Sequence, residues 1–211
     1  MIAAITATPG LCLAQQPAAA IVEDIQVAGA TLSQFDYVAP GRVIDLGADG
    51  TLTLGYLASC ERERIEGGKV TVGKQQSTVV GGNVKRLKIV CDGGSLQLSP
   101  EQSQQSLTVV FRDFDATKNK NLPKPQVILY GTSPVVSVGT AGAALTIKRL
   151  DRSEQPVVLV LDKPTVDLST QGVSLSPGGL YQAKALHRGI FFKIDPSAGD
   201  GGPIVGRLLR F

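Results

Sequence analysis

The feature that most limits what this chain can become is a period-two alternation of apolar residues, carried in short runs and broken by glycine. Ile44 and Leu46 share one face of such a run, followed by Leu52, Leu54 and Tyr56, Val70 with Val72, Leu87 with Ile89, Leu96 with Leu98, and Leu107, Val109 and Phe111. Successive side chains of a strand point to opposite faces, so alternation at this density predicts half-buried antiparallel strands. "ADGT" at 48–51, "CDGG" at 91–94 and the glycine pairs at 67–68 and 81–82 lie between the runs. The two Asp-Gly stretches predict hairpin turns, because glycine adopts the positive φ that tight turns demand, and the glycine pairs mark further turns. Helical periodicity is confined to short windows, of which "SPEQSQQS" fits a helical turn or a loop. Composition agrees: 24 Gly and 12 Pro in 211 residues favour short strands and turns over long helices.

The pattern changes character near "DATKNKNLPKPQ", residues 115–126, a polar stretch with two prolines that reads as a linker. Its Lys118, Lys120 and Lys124 are expected to be solvated rather than to hold an acidic partner. Beyond it come "QVILYG", "PVVSVG", "AALTIKRL", "PVVLVLD", "VSLS", "LYQAKAL" and "GIFFKID". That is about the strand number of an immunoglobulin-like sandwich, without the cysteine pair and Trp of antibody domains. The expected fold is therefore all-β, with two small antiparallel β domains at 21–114 and 127–211, the second an immunoglobulin-like sandwich.

Residues 1–20 are expected to be a signal peptide and spacer. The stretch "MIAAITATPGLCLAQQPAAA" is apolar up to Ala14 and polar at Gln15 and Gln16, with Cys12 and Ala14 at the small-residue positions of a cleavage site. It has no Lys or Arg at its start, and Leu11 before Cys12 is too bulky for a lipoprotein site. No other apolar run approaches the ~20 residues of a membrane helix. Removing the leader leaves Cys60 and Cys91, and two cysteines in an exported chain most simply form one disulfide. A chain retained in the cytoplasm would instead carry two buried free thiols. A metal or reactive pair lacks support, since there is no C-x-x-C spacing and His187 is the only histidine.

The stretch "FDYVAPGRVIDLGADGTLTLGYLASCERERIEGGKVTVG" has a Pro-Gly turn, a strand, an Asp-Gly turn and a further strand. Over residues 35–112 it resembles the FecR-type periplasmic domain, from which the cysteine pair and the "ERER" run depart. The second half, through "LSPGGLYQAKALHRGIFFKID", is similar in layout to the sandwich modules that often follow such domains. The resemblance implies an envelope protein that senses, binds or scaffolds, with Tyr181 in the core rather than at a ligand.

Catalytic constellations are missing from the sequence. "GTAGAA" lacks the Lys and Ser/Thr of a phosphate-binding loop, and there is no G-x-S-x-G elbow. His187 in "ALHRGIFF" is expected in an exposed turn beside Arg188. Asp45, Asp49, Asp113, Asp115, Asp195 and Asp200 are the carboxylates available for acid–base work, but none has calcium-loop spacing. Aspartates in turns ordinarily cap backbone N–H groups. The formal net charge of +3 is scattered, which implies no nucleic-acid surface.

The most suggestive surface is basic. In "VKRLKIVC" Leu87 and Ile89 alternate with Arg86 and Lys88, after Lys85, while "CERERIEGGK" adds Arg62 and Arg64. A Cys60–Cys91 bond would make the two segments neighbours, so Arg62, Arg64, Lys85, Arg86 and Lys88 are the candidate ligand-binding residues for a carboxylate, phosphate or acidic glycan. Glu61, Glu63 and Glu66 are interleaved and would neutralise them, and charged edges also deter aggregation. The ending "GPIVGRLLRF" alternates at Val205, Leu209 and Phe211, which suits an edge strand or docking tail better than a barrel closure. The functional expectation is an exported, periplasmic or secreted protein with a non-enzymatic sensing, ligand-binding or scaffolding role, no cofactor, and an envelope protein or acidic glycan as partner. Two competing readings are an envelope-glycan hydrolase using paired carboxylates and an assembly component pairing through strand edges.

Overall fold

The computed structural model describes residues 17–93 and 122–211, and over these the chain is all-β. The leader with Cys12 and Ala14, the "SPEQSQQS" segment, the runs at Leu96–Leu98 and Leu107–Phe111, Asp113, Asp115 and most of the expected linker lie outside the described residues.

The first module is built from three long strands, each bent once. The first consists of β3 (Val43–Asp45) and β4 (Thr51–Tyr56), after β1 (Ala20–Gln26) and β2 (Tyr37–Val38). The others are β5 (Glu61–Glu66) with β6 (Lys69–Thr71), and β7 (Thr78–Val80) with β8 (Asn83–Lys88). One arm of each enters a five-stranded sheet of order β2-β1-β4-β5-β8, and the other arm enters a three-stranded sheet of order β3-β6-β7. β1 starts at Ala20, inside the stretch assigned to leader and spacer, and Ala19 and Ala20 are buried.

A bend replaces the hairpin expected at 48–51, and the turns expected at 67–68 and 81–82 are bends of the same kind. A hairpin turn joins two strands that pair with each other, whereas β3 pairs with β6, β4 with β1 and β5, and β7 with β6. Glycine is needed at the bends because three backbones converge there. The Gly67 N–H donates to Gly50 O at 2.8 Å and the Gly68 N–H to Gly47 O at 2.7 Å. A Cβ at Gly82 would lie 2.0 Å from Gly67 O, and one at Gly68 2.5 Å from Val80 O. Between the two sheets lie Ile44, Leu46, Leu52, Leu54, Tyr56, Ile65, Val70 and Val72, all buried as their alternation predicts. Leu87 corrects that reading: it is 60 % exposed, because it shares the outer face of the sheet with Arg62, its partner across the β5–β8 ladder.

The second module is sandwich-like. β9 (Val127–Gly131), β11 (Ala143–Arg149), β12 (Val157–Leu161), β14 (Leu180–Ala185) and β15 (Arg188–Gly199) form a sheet of order β12-β11-β14-β15-β9. Opposite it, β10 (Val135–Ser137), β13 (Thr165–Asp167) and β16 (Leu208–Arg210) are arranged β13-β10-β16. Pairing is antiparallel except for β9 with β15 and β10 with β16, which are parallel. Leu129, Leu145, Ile147, Phe192 and Ile194 from one sheet meet Val136, Val166 and Leu209 from the other. Tyr181 is buried among them and stacks on Phe192 with ring centroids 5.5 Å apart. "VSLS" forms no strand. The third strand of the small sheet is instead Thr165–Asp167, a run too short to show alternation.

The modules are packed against each other. Ile21 and Leu57 of the first join Val135, Ile204, Val205 and Leu208 of the second in one apolar cluster. Gly55 lies under this contact, where a Cβ would stand 2.3 Å from a Val205 methyl. The buried Glu23 carboxylate accepts the Ile204 N–H at 3.0 Å and the Arg62 Nε–H at 2.6 Å.

Candidate functional site

The Cys60–Cys91 disulfide is formed, with Cα atoms 5.6 Å apart. It joins the start of β5 to the chain just beyond β8, and the Ile89 N–H donates to Cys60 O beside it. The two basic segments are therefore adjacent, but their five cations do not converge. Residues opposite each other in a ladder share a face. Arg62 opposes Leu87 and Arg64 opposes Lys85, while Glu63 opposes Arg86 and Glu61 opposes Lys88. Arg62, Arg64 and Lys85 thus lie on one face of the sheet and Arg86 and Lys88 on the other.

Most of these cations already have partners. Arg62 binds Glu23, Arg64 lies 3.3 Å from Glu66, and the Lys88 ammonium donates to Ser59 O. Arg86 donates to Glu63 at 2.8 Å, lies 3.3 Å from Glu61 and donates to Ser77 O. Glu63 is fully buried, and both its oxygens accept the Ser77 N–H, so Arg86 serves to compensate an interior charge. The Ser77 hydroxyl in turn shares a 2.7 Å hydrogen bond with Tyr56, and burial first of all pushes that phenol up to about 12. Interleaved glutamates announced the neutralisation of Arg64 and Arg86. Glu23, 39 residues before Arg62, carried no local signal.

What the basic strand does build is one wall of a cleft. Leu87, Ile89 and Val90 face Tyr130, Asp195, Ser197 and the Gly201–Gly202–Pro203 turn across a volume of about 460 Å³ between the modules. Val90 is 65 % exposed and Leu87 nearly as much, so an apolar wall stands open to solvent. The far wall is set by β15, whose pairing with β9 is interrupted between Ile194 and Gly199. That irregularity turns Asp195 and Ser197 into the cleft. Among the described residues of the lining, Asp195 alone is charged. Hydrogen bonds from the Ser197 hydroxyl and N–H hold its carboxyl below the usual range. Burial, then Asp195 and Asp92, push the Tyr130 phenol up. The cleft therefore offers an apolar side, a rim phenol that stays protonated, and one anion.

The remaining carboxylates behave as turn residues. Asp45 accepts the Gly47 N–H, and Asp200 accepts the Thr132 and Ser174 hydroxyls. His187 is exposed in the two-residue turn between β14 and β15, as its sequence context predicts. Among the described residues no group of His, Cys, Asp and Glu is placed to hold a metal, and no helix is long and apolar enough to cross a membrane. Arg207, which breaks the C-terminal alternation, is a buried structural cation. It makes two 2.6 Å bonds to Asp167 and a further bond to Ser133 O. No family model, curated protein or solved structure matches the chain.

Proposed function

We propose that this protein is an exported, non-enzymatic binding protein of the bacterial envelope, holding an extended segment of another envelope protein in the cleft between its modules. The observation that carries this reading is the open apolar wall of Leu87 and Val90 facing Tyr130. Of the large aliphatic side chains exposed at the surface, these two line a concave site between the modules, where burying them against a ligand makes binding energy available. An extended peptide suits the cleft because it presents alternate side chains to the apolar wall and backbone amides to Asp195, Ser197 and the glycine turn. An acidic glycan suits it less, since Asp195 gives the lining a negative charge and Arg62, beside Leu87, is bound to Glu23. The disulfide supports a non-reducing compartment, and the FecR-type resemblance of residues 35–112 supports an envelope role. The second sandwich is read as immunoglobulin-like in architecture, with a scaffolding part in this arrangement.

The test is a photoreactive residue placed at Val90 or at Tyr130 and irradiated in intact native cells, with Val80, 69 % exposed outside the cleft, as control. The expected result is one common protein adduct from positions 90 and 130, none from position 80, and loss of the adduct when Leu87→Asp is added. Cross-links that stay within the same chain, or equal yields from all three positions, overturn the reading.

A further inference from the structure

The open edges of the sheets are not alike. The edge strand β8 carries Lys85, Arg86 and Lys88, charges that keep foreign strands away. In the other module the edge strand β9 is uncharged, but the Ile128 N–H donates to Asp92 of the first module at 3.0 Å and the Ile204–Arg207 turn packs on it. Among the described residues nothing protects β12 in either way. Its sequence is Val-Val-Leu-Val-Leu, its ladder with β11 runs without a bulge, and Val158 and Val160 are 65 % and 68 % exposed. Every other edge strand among the described residues is three residues or shorter.

We propose that β12 pairs with β12 of a second copy of this chain, antiparallel about Leu159, so that two five-stranded sheets become one across a two-fold axis. The register follows from the backbone. The Gly142 N–H donates to Leu161 O, so the polar groups of Leu161, Leu159 and Val157 turn toward β11. In an antiparallel ladder the N–H and C=O of one residue point the same way and those of the next point oppositely. Val158 and Val160 therefore direct their N–H and C=O groups outward. Placing Val158 of one copy opposite Val160 of the other lets each pair exchange both hydrogen bonds, giving four across the axis. A one-residue slip would put core-facing side chains opposite solvent-facing ones.

The same register brings the two exposed valine pairs onto one face, where each covers the other. Pro156, which has no N–H, limits the pairing at its start. A five-residue strand pair buries less than a standard interface, so the dimer forms at high local concentration rather than at dilution. Pairing leaves the intermodule cleft free, at the far side of the sheet from β12.

The test uses the full chain carrying Cys12→Ser. Sedimentation over a hundredfold range of concentration should show a monomer–dimer equilibrium. Val158→Lys with Val160→Lys should weaken it at least tenfold with an unchanged melting temperature. Val158→Cys and Val160→Cys chains, mixed and oxidised, should cross-link to each other, since hydrogen-bonded partners lie ~5.5 Å apart, within disulfide reach. Neither should cross-link alone. A monomer at all concentrations, an equilibrium indifferent to the lysines, or cross-linking of either cysteine variant by itself would each overturn the proposal. Failure here leaves the cleft reading standing, because its cross-links come from the opposite edge.

Discussion

The two modules close a small β-sandwich by different means. In the first, the same three strands run through both sheets, and the connection is backbone against backbone at glycine bends, with a disulfide tying the end of the last strand. In the second, the sheets are made of separate strands joined by loops, and side chains hold those loops down. Arg207 binds Asp167 through two bonds, and Arg149 binds Asp151 and Glu154 while lying over the Tyr181 ring. The difference teaches where each module is vulnerable: the first to an atom added at a bend glycine that faces another backbone, the second to loss of a buried cation.

The largest expected effect is at Gly82. Gly82→Ala puts a methyl against the Gly67 carbonyl and should cost at least about 4 kcal/mol or prevent folding. Gly81→Ala, with open space around its Cβ position and φ of 72°, should cost only about 1–2 kcal/mol. Chemical denaturation of the two variants checks the pair, and equal losses would remove the packing explanation. Next comes reduction of the disulfide, which should cost roughly 3–4 kcal/mol by the chain-entropy argument. Hydrogen exchange read by peptide should show faster exchange in β5 and β8 with little change in β11 and β14. Third, Arg207→Met should cost about 3 kcal/mol, and adding Asp167→Asn should return part of that loss, because the uncompensated carboxylate is removed while Ser169 keeps its cap.

The smallest effect is the pH response, which should separate the modules. Hydrogen bonding to Arg149 holds Asp151 below its ordinary range, and for Asp167 burial acts upward but the bonds from Arg207 and Ser169 outweigh it. Carboxylates lowered by folding contribute stability that is present above their unfolded pKa and lost as pH falls through the folded one. Stability of the second module should therefore be level near neutrality and decline below about pH 4. Arg207→Met should flatten that decline, as thermal melts across an acid series would show.

Much of this fold is legible in the sequence where alternation is long and one face is buried, as at Leu52, Leu54 and Tyr56. The pattern is silent where one local signal serves two structures. A glycine pair permits a hairpin or a bend equally, and the choice depends on strands paired far along the chain. Leu87 looks like a core residue because its neighbours are charged, yet the face it shares with Arg62 is turned toward the cleft. The candidate site was only half visible for the same reason. Residues 87–90 mark one wall, but Tyr130 and Asp195 arrive from strands whose place against them depends on Glu23, Gly55 and Val205 meeting at the contact between modules.

The aligned bends of the first module act as a crease across folded paper. A strand in a flat sheet can slide by two residues and still keep its apolar side inward. Here such a slide would carry a bulky residue onto the crease and the glycine off it. The three strands are keyed to one another along their length as well as across their faces. Paired insertions inside an arm should therefore be refused, while the exposed loop at 74–76, which lies away from the crease, should accept them.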